Sequence, residues 1–169
     1  MTAPFVRIEP FGVERVAGMF GQAPDIVLDE LRKAMVESDL FLAREVAERT
    51  PTAHGLLRSS IFSEERVTAD GVIGVVASPL EHATYVELGT RPHFPPLEPI
   101  IDWVKTKGIA PADQAESVAY LIARAIAVRG TLAVGMFNRA FAYAQPQIAR
   151  RFEMARDRAL ERMRAAGAG

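Results

Sequence analysis

The chain of 169 residues contains no cysteine. Disulfides, thiolate metal sites and cysteine nucleophiles are therefore excluded, and the composition fits a reducing cytoplasm. No apolar run is long enough to span a bilayer. Pro4, Glu9 and Pro10 interrupt any apolar region at the N-terminus, and no basic segment precedes one, so no signal peptide is expected. Gly18 and Gly21 are followed by no Lys-Ser or Lys-Thr, which rules out a phosphate-binding loop of the common type. Ser59-Ser60 lacks the Gly-x-Ser-x-Gly elbow of serine hydrolases and reads as polar positions of an edge strand. His54, His82 and His93 show no His-Glu-x-x-His spacing, which would set two imidazoles on one helical face. Hydrogen bonding or surface packing accounts for them. No catalytic residue, metal site or cofactor is therefore expected.

What the chain does have is a core and an uneven charge. Its hydrophobic content of 49% suffices for one domain, and neither an internal repeat nor a low-complexity linker divides it. The net charge is -1. Residues 1–70 hold 8 basic and 12 acidic side chains, residues 71–120 hold 3 and 6, and residues 121–169 hold 9 and 3. The nine basic residues of the last part are all arginine, whose guanidinium grips carboxylate or phosphate with two parallel hydrogen bonds. An acidic front and a basic back suit solvated helix faces, head-to-tail contact between copies, or a surface near nucleic acid.

Periodicity predicts an α+β domain. Phe5 to Glu9 reads as a strand stopped by Pro10, and Val13 to Phe20 as a helical turn or two. Pro24 to Glu48 is a long helix. Proline suits its first turn, Asp25, Asp29 and Glu30 oppose its dipole, and Leu28, Leu31, Met35, Leu42 and Val46 form its stripe. Leu57 to Val67 and Val72 to Ala77 read as strands joined by an Asp70-Gly71 hairpin, the second apolar enough for burial on both faces. Ser78 to Glu81 resembles a capping box opening a short helix that Gly89 ends, while a strand through Thr84 to Leu88 fits the same run, which is too short for periodicity to decide. Pro96 to Lys107 returns to helix, with Ile100, Trp103 and Val104 on one face. Asp113 with Glu116 reads as a second capping box. The helix after it carries Val118, Leu121, Ile122, Ala125 and Ile126 as its stripe and stops at Gly130. Leu132 to Ala144 is helical, and Pro146 is expected to break it and start a last helix along Ile148, Phe152, Ala155, Leu160 and Met163. The expected architecture is a small antiparallel sheet with a central Asp-Gly hairpin, packed by a long N-terminal helix and several C-terminal helices. Residues 1–169 form one domain, with 96–129 a helical insertion and 165–169 a disordered tail.

Three segments carry a resemblance. The first runs Thr50-Pro51-Thr52-Ala53-His54-Gly55-Leu56-Leu57-Arg58-Ser59-Ser60-Ile61. The second is Tyr85-Val86-Glu87-Leu88-Gly89-Thr90, followed by Arg91-Pro92-His93 and a proline pair. The third is Met136-Phe137-Asn138-Arg139-Ala140-Phe141. In order and spacing they resemble the siphophage neck and tail-completion family, the group of the lambda minor tail protein Z, from about Val6 to Met163. The chain departs from the family's pattern at Ala53 and His54, where Asp and Thr are common, and in lacking both prolines of the third segment.

The resemblance implies a non-enzymatic virion protein of the head-tail junction, assembled in the host bacterial cytoplasm. Its implied partners are further copies of itself in a ring, most simply a hexamer, together with head-closure or connector proteins and tail-terminator or tail-tube proteins. Genomic DNA would pass through the lumen without sequence recognition, and no membrane is involved. Interface residues expected on this reading are Tyr85, Glu87, Arg91, His93, Phe94, Arg151 and Arg158. Three prolines within Arg91 to Pro96 stiffen a recognition loop, with Phe94 as apolar anchor and Arg91 paired to an acidic group of a neighbour. Two alternatives come from other classes. One is a small metal-dependent hydrolase using His82 and His93. The other is a DNA-binding protein using the C-terminal helix with Arg150, Arg151, Arg156, Arg158, Arg162 and Arg164.

Overall fold

The computed structural model describes residues 5–8, 24–68 and 71–167. The turn expected at Val13 to Phe20, and Asp70 itself, lie outside the described residues. The fold is α+β, as periodicity indicated. Strand β1 (Phe5–Ile8) is followed by helix α1 (Pro24–Arg49) and a single turn, α2 (Leu56–Ser59). Strands β2 (Phe62–Thr68) and β3 (Gly71–Ala77) form the hairpin, and helix α3 (His82–Leu88) follows. Helices α4 (Leu97–Thr106), α5 (Ala115–Arg129) and α6 (Met136–Gly167) complete the chain.

The sheet is antiparallel throughout, in the order β1-β3-β2. Thr68 pairs with Gly71 at the hairpin end, so Gly71 is the first residue of β3 and not a central turn residue. Val72, Gly74 and Val76 are buried on one face of β3, while Ile73 and Val75 opposite are half-buried. One face, not two, is thus fully covered, and α1 covers it. The strand expected from Leu57 begins only at Phe62. Gly55, with φ 82°, instead opens the α2 turn, which places Leu57 in the core and Ser60 Oγ 2.8 Å from Ser78 Oγ. Ser59 and Ser60 are therefore not strand positions.

Helices α1 and α6 run antiparallel. Arg49 lies over the Tyr143 ring, Arg151 lies over Phe41, and Arg158 bonds Glu30, in reverse order along the two helices. Their shared core holds Met35, Leu42, Val46, Met136, Phe137, Ala140, Ala144 and Ile148, against Val72 and Val76 of the sheet. Pro146 does not break α6, which continues for 32 residues. A proline inside a helix leaves the carbonyl four residues earlier without its N–H partner. Here Ala142 and Pro146 are both exposed, so water can satisfy that carbonyl while the opposite side stays packed on α1. α6 also runs on to Gly167, into the stretch expected as a tail.

Two expected caps differ. Ser78 Oγ accepts from the Leu80 N–H at 3.2 Å, a local turn, and α3 starts later, at His82. Helix α5 begins at Ala115 after Gln114, with no side-chain cap, so Asp113 does not cap it. Helices α4 and α5 form a pair with its own small core of Val104, Ala115 and Ala119, flanked by Ile100, Val118 and Ile122. Alanines, not the branched residues, face inward on α5: Ala115, Ala119 and Ala123 are fully buried, while Leu121 of the expected stripe points to solvent. Small residues let the two backbones approach, which is why the larger side chains end on the flanks.

Candidate interaction surface

The segment Val86 to Thr90 acts as a clasp on the start of α6. The first turn of that helix exposes N–H groups with no helical partner, and the residue before it, Gly135, has no side chain to offer. Glu87 supplies the cap from α3. Its carboxylate accepts from Phe137 N at 2.8 Å and from Asn138 N at 3.0 Å. The Val86 and Glu87 carbonyls accept from Val134 N at 2.9 Å and Gly135 N at 3.1 Å. Thr90 and Thr131 then form an isolated bridge, with their hydroxyls 3.0 Å apart. Gly89 and Gly130, at φ 74° and 71°, pass so closely by the opposite backbone that a Cβ on either would collide with it. Thr50 joins the same junction: its hydroxyl donates to Val46 O at 2.7 Å and lies 3.3 Å from Met136 Sδ.

Beyond the clasp the chain runs over α5. His93 N–H donates to Ile126 O at 3.4 Å, and the His93 ring Nδ1 lies 2.9 Å from Arg91 O. Phe94 does not enter the core: it is 54% exposed, with its ring centroid 6.3 Å from that of Tyr120. On and just after α5, Leu121 is 61%, Val128 75% and Leu132 93% exposed. A second tether links the α4–α5 pair to the body, His54 Nε2 to Asp102 Oδ2 at 2.6 Å, with both side chains largely in solvent.

The seven expected interface residues therefore divide. Tyr85, Arg91, His93 and Phe94 are exposed. Glu87, Arg151 and Arg158 are engaged within the chain: Glu87 caps α6, Arg151 sits 4.5 Å over the Phe41 ring, and Arg158 Nε donates to Glu30 Oε2 at 2.8 Å. The contrast of acidic front and basic back is likewise partly internal. Buried Glu30 accepts from Arg158, from Arg162 at 2.7 Å and from Lys33 at 3.4 Å. The Arg158 hydrogen bond is the main reason its carboxyl titrates below the ordinary value, against the opposing effect of burial. Asp29, held by Lys33 and Arg162, is lowered in the same way. Arg151, Arg158 and Arg162 are thus held within the chain, Arg156 pairs with Asp157, and four of the six arginines are not a free basic surface. Among the described residues, no three His, Asp or Glu side chains gather where a metal ion could sit, and His82 and His93 share no site.

Periodicity gave no sign of Asp39. It lies on the face of α1 turned to the sheet, 2% exposed, with neither carboxylate oxygen hydrogen-bonded. It fits over β3 only because Gly74 has no side chain: a Cβ there would overlap the carboxyl group. Burial, and secondarily the charge of Glu65, push its pKa from 3.8 to about 7. Beside it, α1 and β2 bound an open groove of about 500 Å³, floored by Leu28 and Val36 and edged by Asp25, Glu37 and the Arg32–Glu65 pair at 2.7 Å.

Comparison of the chain with known protein families, curated proteins and solved structures finds no match.

Proposed function

We infer that the protein is a non-enzymatic structural component of a bacteriophage head-tail junction, working in the virion as a homo-oligomeric ring through which DNA passes. The observation that carries this reading is that large apolar side chains on α5 and the segments next to it stay in solvent, Phe94, Leu121, Val128 and Leu132 among them. Such residues on a tethered element suit a protein-binding surface better than a catalytic one. The resemblance of the three segments supplies the biological setting. Those segments are also the ones that meet around the start of α6: Thr50 touches Met136, and Glu87 caps Phe137 and Asn138. A junction that depends on residues from all three gives them a common architectural reason to occur together. Sixfold symmetry is what the resemblance implies, and a head-to-tail contact closes into a ring of any size whose rotation divides the circle.

The test is genetic and structural. Phage lacking this protein should accumulate DNA-filled heads and separate tails, and a reconstruction of intact particles should place several copies around the tail axis. A single copy per particle, or normal particles without the protein, would refute the reading.

A further inference from the structure

Residues 91–129 form a unit with a core of its own. Helix α4 packs on α5 around Val104, Ala115 and Ala119, and no residue of this pair belongs to the cores built on α1, α6 and the sheet. Neither helix packs extensively on any element outside the pair. Two passages of chain lead into the unit, and they run side by side. On the body side they are pinned where the Val134 and Gly135 N–H groups donate to the Val86 and Glu87 carbonyls. On the far side they are pinned where His93 N–H donates to Ile126 O. Between these pins stands a single bridge, Thr90 with Thr131, flanked by Gly89 and Gly130. A neck one residue pair wide, with a glycine in each passage, is where backbone torsions change at least cost.

We propose that residues 91–129 are an arm that swings on the body about the Thr90–Thr131 neck, and that the His54–Asp102 pair is the latch holding it in the position observed. Among the described residues, His54 Nε2 to Asp102 Oδ2 is the one side-chain hydrogen bond that joins the arm to the body beyond the neck. Both side chains stand largely in solvent, and an exposed pair of this kind shifts an equilibrium by no more than about fivefold. A boundary crossed by so few buried apolar contacts opens at low cost. The close approach of the two backbones at Gly89 and Gly130 keeps the passages together, so they turn as one. The swing carries the exposed Phe94, Leu121 and Val128 with it, and a partner that binds them selects the angle between arm and body. The inference goes beyond the assembly reading and does not depend on whether that partner is another copy of the chain.

The absence of cysteine lets spin labels be placed at chosen sites on the full-length chain. Labels on Glu37→Cys with Lys107→Cys report body against arm, Glu37→Cys with Gln145→Cys the body alone, and Lys107→Cys with Arg124→Cys the arm alone; all four positions are exposed. Double electron–electron resonance then gives the distance distribution for each pair. His54→Ala and Asp102→Ala should each move the body-to-arm population away from the latched distance, by up to about fivefold in the ratio of latched to swung positions. The two substitutions together should move it no further than either alone, because they remove the same contact. Distances within the body and within the arm should stay as they are, and so should the global unfolding transition. A body-to-arm distribution that is the same with and without the latch residues would overturn the proposal. A within-arm distance that changes in step would equally overturn it, since the helix pair would then be unfolding and not swinging. Additive effects of the two substitutions would refute the latch.

Discussion

Replacing Asp39 with asparagine should make the protein's stability less dependent on pH. The carboxyl group is 2% exposed, finds no hydrogen-bond donor, and faces the charge of Glu65. Its pKa rises from 3.8 to about 7 on folding, so across that window the folded chain keeps a proton that the unfolded chain has released. Stability must then fall as pH rises, because the native state binds more protons than the unfolded state. The slope is about 1.4 kcal/mol per pH unit, and over the roughly three units of the window the loss approaches ~4 kcal/mol, before levelling off above pH 7. Below pH 3.8 both states are protonated and the effect vanishes. Asp39→Asn fits the same space and cannot ionise. Its unfolding free energy relative to wild type should therefore climb steadily between about pH 4 and pH 7, whatever small offset the amide introduces. Urea unfolding at several pH values measures this directly, since the midpoint reports stability at constant slope. A difference between the two proteins that stays flat from pH 4 to pH 8 would show that Asp39 ionises freely when folded.

Three further outcomes are expected. Gly74→Ala should destabilise by about 1–3 kcal/mol, because its Cβ meets the Asp39 carboxyl, and adding Asp39→Ala should recover part of the loss; additive effects in the double mutant cycle would contradict the contact. Glu87→Ala removes two charge-assisted hydrogen bonds from the first turn of α6 and should cost about 1–2 kcal/mol in thermal or urea unfolding, with Glu87→Gln losing less. Phe94→Ala should leave the fold intact, because the side chain is half in solvent, and should weaken association by on the order of 2 kcal/mol, read as a failure to complete particles.

Where the chain repeats at a helical or strand period, its structure was legible; where tertiary contacts decide, it was not. Helix α1 and strand β3 announce themselves because their buried faces are continuous. The same periodicity is silent on Glu30, Ser38, Asp39 and Glu45, which are buried because the sheet and α6 both pack on α1 and leave only a stripe along Arg32, Val36, Leu40 and Arg44 in solvent. Local rules failed in the same way. Pro146 ought to end a helix, yet α6 passes through it with its proline side in water. Asp113 and Glu116 have capping-box spacing, yet α5 starts elsewhere, because a cap needs backbone geometry that spacing alone does not impose.

The candidate surface shows the same limit from the other side. Tyr85 to Arg91 stands out as a motif, but a motif does not reveal what its residues face. Glu87 has the character of an exposed interface carboxylate, and only the fold brings Phe137 and Asn138, fifty residues away, against it. Gly89 reads as a helix stop, which it is, but its tighter constraint comes from the backbone of Thr131 and its neighbours. Selection on such a segment would act first on the junction at the start of α6, and an interface would inherit the loop that this junction holds in place. The side chains that remain outward, Phe94 among them, are therefore better guides to a partner than the motif's most recognisable letters. They are also where substitution should separate assembly from folding: Glu87 variants should lose both together, whereas Phe94 variants should lose assembly alone.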